Sequence, residues 1–111
     1  MTDVIDLNML EELKEIMEEE FPSLLETFVT ESARQYQEAS QAWTNQDMEV
    51  LRRAAHSLKG SCSNVGAEQL RATCASLEDR ARDLDGASIP ELLSSAEVQL
   101  QAVTEVIQTY S

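Results

Sequence analysis

The chain has 111 residues, 42% of them hydrophobic and 26% charged, and 21 acids against eight bases give a formal net charge of −13. That length supports one domain, residues 1–111, able to bury about two thirds of its unfolded surface. The acidic excess argues against a nucleic-acid partner, which needs clustered Lys and Arg against phosphate, and no apolar run reaches the about 18 residues of a membrane span.

The first predicted element is a helix over about residues 8–18, with Asn8 and Glu11 as a capping pair and Asp6 as the alternative cap. Its apolar stripe is Leu10, Leu13, Ile16 and Met17. Pro22 suits the first turn of a second helix, where its missing N–H costs nothing. That helix carries Phe21, Leu25, Phe28, Ser32, Tyr36, Ala39 and Trp43 on one side and ends near Asn45. Asp47 caps a third helix with the stripe Met48, Leu51, Ala55, Leu58, Cys62 and Val65, and Gly66 follows as the residue after its C-cap. A fourth helix has Ala67, Leu70, Cys74, Leu77, Ala81 and Leu84, with Gly86 beyond its end. Ser88-Ile89-Pro90-Glu91 reads as a capping box that opens a fifth, striped by Ile89, Leu93, Ala96, Leu100, Val103, Ile107 and Tyr110. The apolar residues step by three and four, as helices require. Short turns between near-heptad stripes imply an all-α fold, an antiparallel up-down four-helix bundle with a short additional N-terminal helix.

The chemistry available is limited. Cys62 and Cys74 both lie on apolar stripes, so they are expected as buried thiols in a reducing compartment. Folding the third and fourth helices about Gly66 puts Cys62 opposite residue 70 and offset from Cys74 by about 6 Å, at 1.5 Å per residue. A single histidine with no CxxC and no HExxH provides too few ligands for a dedicated metal site. No cofactor is expected, and no signal segment is visible. The net charge of −13 also argues against an anionic lipid surface, and the expected location is cytoplasmic.

Charge is distributed unevenly. Residues 1–51 hold 13 acids and two bases; residues 52–82 hold six bases and three acids; residues 83–111 hold five acids and no base. The only histidine, His56, lies in the basic segment. It follows Ala55, so it is turned about 100° from the apolar stripe and faces solvent. Its own face is made by Arg52, Lys59, Gly60 and Ser63, with Arg53 on the border. Glycine inside a helix costs about 1 kcal/mol relative to alanine, and no turn explains Gly60. It bares the surface one turn from the imidazole. The Lys59 ammonium disfavours a charged ring and keeps it nucleophilic, and it can steady an anion placed on the ring. An exposed imidazole, a bare glycine and an ammonium suit a phosphoryl group delivered from outside. The chain has no phosphate-binding loop of its own, so the donor is expected to be another protein. The bland alternatives are a surface histidine without a role and a glycine that permits a close helix crossing.

The stretch Ala54-Ala55-His56-Ser57-Leu58-Lys59-Gly60-Ser61-Cys62-Ser63-Asn64-Val65-Gly66-Ala67 resembles the signature of histidine-containing phosphotransfer (HPt) domains, roughly A-H-x-L-K-G-S-x-x-x-G. Leu70 and Leu77-Glu78 stand where the family places a following L and L-E, and the Phe21-Pro22…Phe28 helix fits as well. The resemblance implies that His56 accepts phosphate on Nε2 from a receiver-domain aspartate and passes it to a response-regulator aspartate. It further implies that Lys59 stabilises the phosphoryl oxygens and that Gly60 admits the receiver's loops. Arg52, Arg53, Ser63 and Arg82 would contribute to docking. Partners would be receiver domains of hybrid sensor kinases and response regulators. Mg²⁺ would belong to the receiver, and this chain would be a monomeric phosphocarrier rather than an enzyme. In some members a Gln on the neighbouring helix contacts the histidine and a basic residue follows one turn on; here those positions are Glu78 and Arg82. A carboxylate beside the ring would favour its charged form and repel phosphate, which argues against a contact role for Glu78. The rival functions are an HPt-like adaptor that binds receivers or kinases without carrying phosphate, and a helical adaptor outside phosphorelay. A small hydrolase is a poorer fit, since the neighbouring Ser57 points about 100° away from the ring.

Overall fold

The structure is a computed structural model that describes residues 4–110. Every regular element among these residues is helical: α1 (Leu7–Met17), α2 (Phe21–Thr44), α3 (Met48–Ser63), α4 (Glu68–Arg82) and α5 (Ile89–Tyr110), with a 3-10 turn at Glu18–Glu20 between α1 and α2. Helix α3 packs on α2 and α4, α5 packs on α4 and α2, and α1 rests on the start of α2. The core is where the stripes placed it: Leu10, Phe21, Leu25, Phe28, Leu51, Leu58, Leu70, Leu77, Ile89, Leu93 and Val103 are all buried.

Several boundaries differ from expectation for identifiable reasons. Asp6, not Asn8, caps α1, its Oδ1 accepting from the Met9 N–H at 3.1 Å, so the helix begins at Leu7. Ile16 sits at 77% exposure and leaves the stripe to Leu10, with Leu13 and Met17 half-buried. Asp47 caps α3 as expected, accepting from the Val50 N–H at 3.1 Å. Helix α4 stops at Arg82, and Leu84, expected on its apolar stripe, takes φ 57° and is 73% exposed. The left-handed residue that ends α4 is therefore Leu84, and the Asp85 N–H returns to the Arg80 carbonyl at 2.8 Å. Gly86 serves packing instead, since a Cβ there would come within 3.0 Å of Trp43. The Ser88 carbonyl accepts the Leu92 N–H at 3.1 Å in the first turn of α5.

Two polar contacts, one buried and one partly buried, tie α2 to its neighbours. Tyr36 donates its hydroxyl to the Leu93 carbonyl of α5 at 3.1 Å, and burial, followed by the charge of Glu97, pushes the phenol up. Ser61 of α3 donates to Gln35 at 2.9 Å.

Helix α3 ends at Ser63 with Asn64 as its C-cap, so Gly66, expected directly after the cap, lies two residues past it, with φ 75°. The Asp6 N–H donates to its carbonyl at 2.9 Å, fixing the start of α1 against the α3–α4 turn. A Cβ at Gly66 would lie 2.8 Å from the Asp6 Cβ and 3.1 Å from Met9 Sδ. Gly66→Ala combines a left-handed backbone with a clash, and should cost about 2 kcal/mol or more. The expected result in urea is a lower midpoint with an unchanged slope; an unchanged midpoint would show that α1 yields freely.

Cys62 and Cys74 are free and buried. As expected, they are core thiols without a disulfide. A hydrogen bond with Cys74, then burial, holds the Cys62 thiol protonated well above the usual range. Such a thiol is a poor nucleophile and acts here as core.

Candidate functional site

Helix α3 turns Leu51, Ala55, Leu58 and Cys62 into the core. The next face, rotated by about 100°, is left to Arg52, His56, Lys59, Gly60 and Ser63. The His56 side chain is 64% exposed, as its place on the helix predicted.

The ring is nevertheless held on one side. Its Nδ1 lies 2.8 Å from Glu78 Oε2, and Lys59 Nζ lies 2.5 Å from Oε1 of the same carboxylate. This corrects the expectation that Glu78 stays away from His56. The carboxylate is not a bare negative charge facing the phosphoryl position, because Lys59 shares it and the charge of Arg52 also reaches it. Glu78 is only 15% exposed, and Lys59 29%. Burial pushes the Glu78 carboxyl up, but the hydrogen bonds and charges of Lys59 and His56 outweigh it, leaving the group below the ordinary carboxylate range.

With Nδ1 engaged by an acceptor, the neutral ring carries its proton on Nδ1 and presents the Nε2 lone pair outward. Gly60 lies one turn further on, exposed, and a Cβ built there meets nothing within 4 Å. No close helix crossing requires this glycine, so that bland explanation fails. The surface beside Nε2 is open.

The other expected docking residues are less engaged with the ring. Arg52 pairs with Glu49 at 2.5 Å, and Arg53 reaches the same carboxylate at 3.8 Å. Ser63 is exposed, with its hydroxyl bonded back to the Lys59 carbonyl at 3.3 Å. Arg82 pairs with Asp79 at 3.1 Å and Asp83 at 3.4 Å. The structure thus brings His56, Lys59 and Glu78 together with Gly60 alongside, while the arginines form a looser basic surround. Among the described residues no group of three His, Cys, Asp or Glu is arranged to hold a metal ion, and no helix is long and apolar enough to cross a membrane.

Glu78 contributes to stability in a pH-dependent way. Its folded-state carboxyl titrates below the unfolded value of 4.5. The stabilisation is therefore complete above pH 4.5 and is lost as pH falls through the folded value. Glu78→Gln should lower stability at neutral pH by about 1 kcal/mol, and the difference from wild type should close as acid is added. A constant difference across the urea series at low pH would contradict this.

A helical fold that offers an exposed imidazole beside an ammonium, with a bare helix surface next to it, fits the phosphotransfer class. The Hpt domain family model matches residues 23–109. The crystal structure of histidine-containing phosphotransfer protein B from Pseudomonas aeruginosa PAO1 superposes with a TM-score of 0.95 at 34% identity, covering 99% of this chain and 96% of that one. Comparison with curated proteins gives no significant match. The chain belongs to the Hpt domain family, and its role is histidine phosphotransfer in two-component phosphorelay.

Proposed function

We propose that His56 Nε2 accepts a phosphoryl group from the aspartyl phosphate of a receiver domain and returns it to the aspartate of a response regulator. The observation that carries this is the Glu78–Nδ1 contact at 2.8 Å on a ring whose other nitrogen is free. Lys59 then moves part of its charge from Glu78 to the phosphoryl oxygens. Gly60 receives the receiver's active-site loops, and Arg52, Arg53, Ser63 and Arg82 border the docked surface. The receiver supplies Mg²⁺ and the chemistry of its own aspartate, so this chain acts as a carrier without a cofactor. With this reading goes a single domain over residues 1–111, an antiparallel up-down four-helix bundle with a short additional N-terminal helix, acting as a monomer in the cytoplasm.

The reaction leaves a direct signature. A receiver loaded with radiolabelled phosphate, mixed with this chain and Mg²⁺, should transfer label to it, and the label should be acid-labile and base-stable. Receiver binding without any label across a broad panel would favour the adaptor reading instead.

A further inference from the structure

Helix α5 carries more apolar residues than its core stripe uses. Val98, Ala102, Val106 and Tyr110 recur every fourth residue beside that stripe, none of them is buried, and Val98 is 66% exposed. Such a ridge runs for about 18 Å, or about three helical turns. Helix α1 does not cover it, since no Cα of α1 lies within 8 Å of one of α5. The two helices are bridged where the Tyr110 hydroxyl meets Glu11 and the Lys14 ammonium stands 5.8 Å over the Tyr110 ring. Beside that bridge is an open groove of about 510 Å³, lined by Val4 and Leu7 on one side and by Ala102, Glu105, Val106 and Tyr110 on the other.

We propose that this groove is a docking site for a basic amphipathic helix of a partner protein, separate from the phosphotransfer surface. A contiguous apolar strip left in water marks an interaction site more often than a scatter of single apolar residues does. A partner helix laid in such a groove presents apolar anchors at i, i+3, i+4 and i+7, and a ridge of about three turns matches about that length of helix.

Charge selects the occupant. Helix α5 carries Glu91, Glu97 and Glu105 and no base, and α1 carries Glu11, Glu12 and Glu15 against Lys14 alone. Lys14 is already placed over Tyr110, and Glu105 stands in the lining itself. A second copy of this chain would set these carboxylates against their own kind, and an anionic lipid surface would be repelled in the same way. A helix whose apolar face is flanked by Lys or Arg covers the ridge and answers the acids together.

The location leaves phosphotransfer free. Helix α5 packs on α4 and α2, and none of its Cα atoms lies within 8 Å of one in α3, which carries His56, Lys59 and Gly60. One chain can therefore hold such a partner and a receiver at the same time, and the inference does not depend on phosphate being carried.

The test uses the full chain and a fluorescein-labelled peptide of about 14 residues, with leucine on one helical face and lysine on the other. Fluorescence anisotropy should show saturable binding in the micromolar range. A peptide of the same composition scrambled to break its apolar face, and a leucine–glutamate peptide, should each bind more weakly by about tenfold or more. Val98→Glu and Ala102→Glu should weaken binding of the leucine–lysine peptide to a similar extent, with unchanged circular dichroism because neither residue is buried. His56→Gln should bind it as the wild type does, and saturating peptide should leave labelling by a phosphorylated receiver at its usual rate. Absence of saturable binding overturns the proposal. Equal affinity for the scrambled peptide also overturns it, since net charge alone would then account for the binding. Full affinity in both glutamate variants overturns it by placing the site elsewhere. Self-association of the chain, or binding to phosphatidylcholine vesicles, that these variants abolish would overturn it in favour of a second copy or a lipid surface. Receiver-dependent labelling without peptide reports separately on the phosphotransfer reading, so failure of the one is distinguishable from failure of the other.

Discussion

His56→Gln should reduce labelling by any phosphorylated receiver to background while leaving the helical fold in place. The side chain is 64% exposed and none of it belongs to the core. Glutamine lacks a nucleophilic nitrogen, because its amide lone pair is delocalised. Loss of the ring costs Glu78 one partner but leaves it Lys59 at 2.5 Å. The stability change should therefore stay within about 1 kcal/mol, and the circular dichroism should be unchanged. Label on the variant at the wild-type level would place the acceptor elsewhere and remove the basis of the proposed mechanism.

Gly60→Gln should separate folding from docking. Nothing lies within 4 Å of a Cβ at this position and the backbone is helical, so the substitution meets no obstacle in the folded chain. Helix propensity alone favours it by about 0.5–1 kcal/mol over glycine. A long side chain beside Nε2 nevertheless stands where the receiver's loops must enter. Displacing the reacting atoms by about an ångström costs about 100-fold in rate. Receiver-dependent labelling should fall by that order, while labelling by phosphoramidate, which needs no docked protein, should persist. A variant that is more stable and transfers at the wild-type rate would show that the open surface serves no partner. The glycine is thus a place where the sequence gives up stability, and the surrounding fold provides no compensating reason for it.

Most of the fold was readable because apolar spacing and caps agree. Most residues of the α2, α3 and α5 stripes are buried and the Asp47 cap is where the sequence predicted it, while Trp43, Met48 and Tyr110 are only partly buried and α3 ends before Val65. Ile16 and Leu84 misled because periodicity counts an apolar residue without knowing whether anything packs against it. α1 has few neighbours to cover its far side, and α4 has already ended before Leu84. The Glu78–His56 contact runs against the sequence-based expectation because a carboxylate beside the ring counts there as a lone negative charge, whereas in the fold Lys59 is a second partner for the same carboxylate. His56, Lys59 and Gly60 needed no such correction, since their place on one helix face follows from sequence spacing.

The central claim is that phosphate passes through this chain on His56, and a two-receiver relay tests it most directly. A first receiver carries labelled phosphate, a second is unlabelled, and the chain is added at a small fraction of either, with Mg²⁺ present. The account predicts that label reaches the second receiver only when wild-type chain is present, and that an acid-labile, base-stable label is found transiently on His56. Receivers that bind the chain while label neither appears on it nor moves between them would contradict the account and leave a helical adaptor in its place.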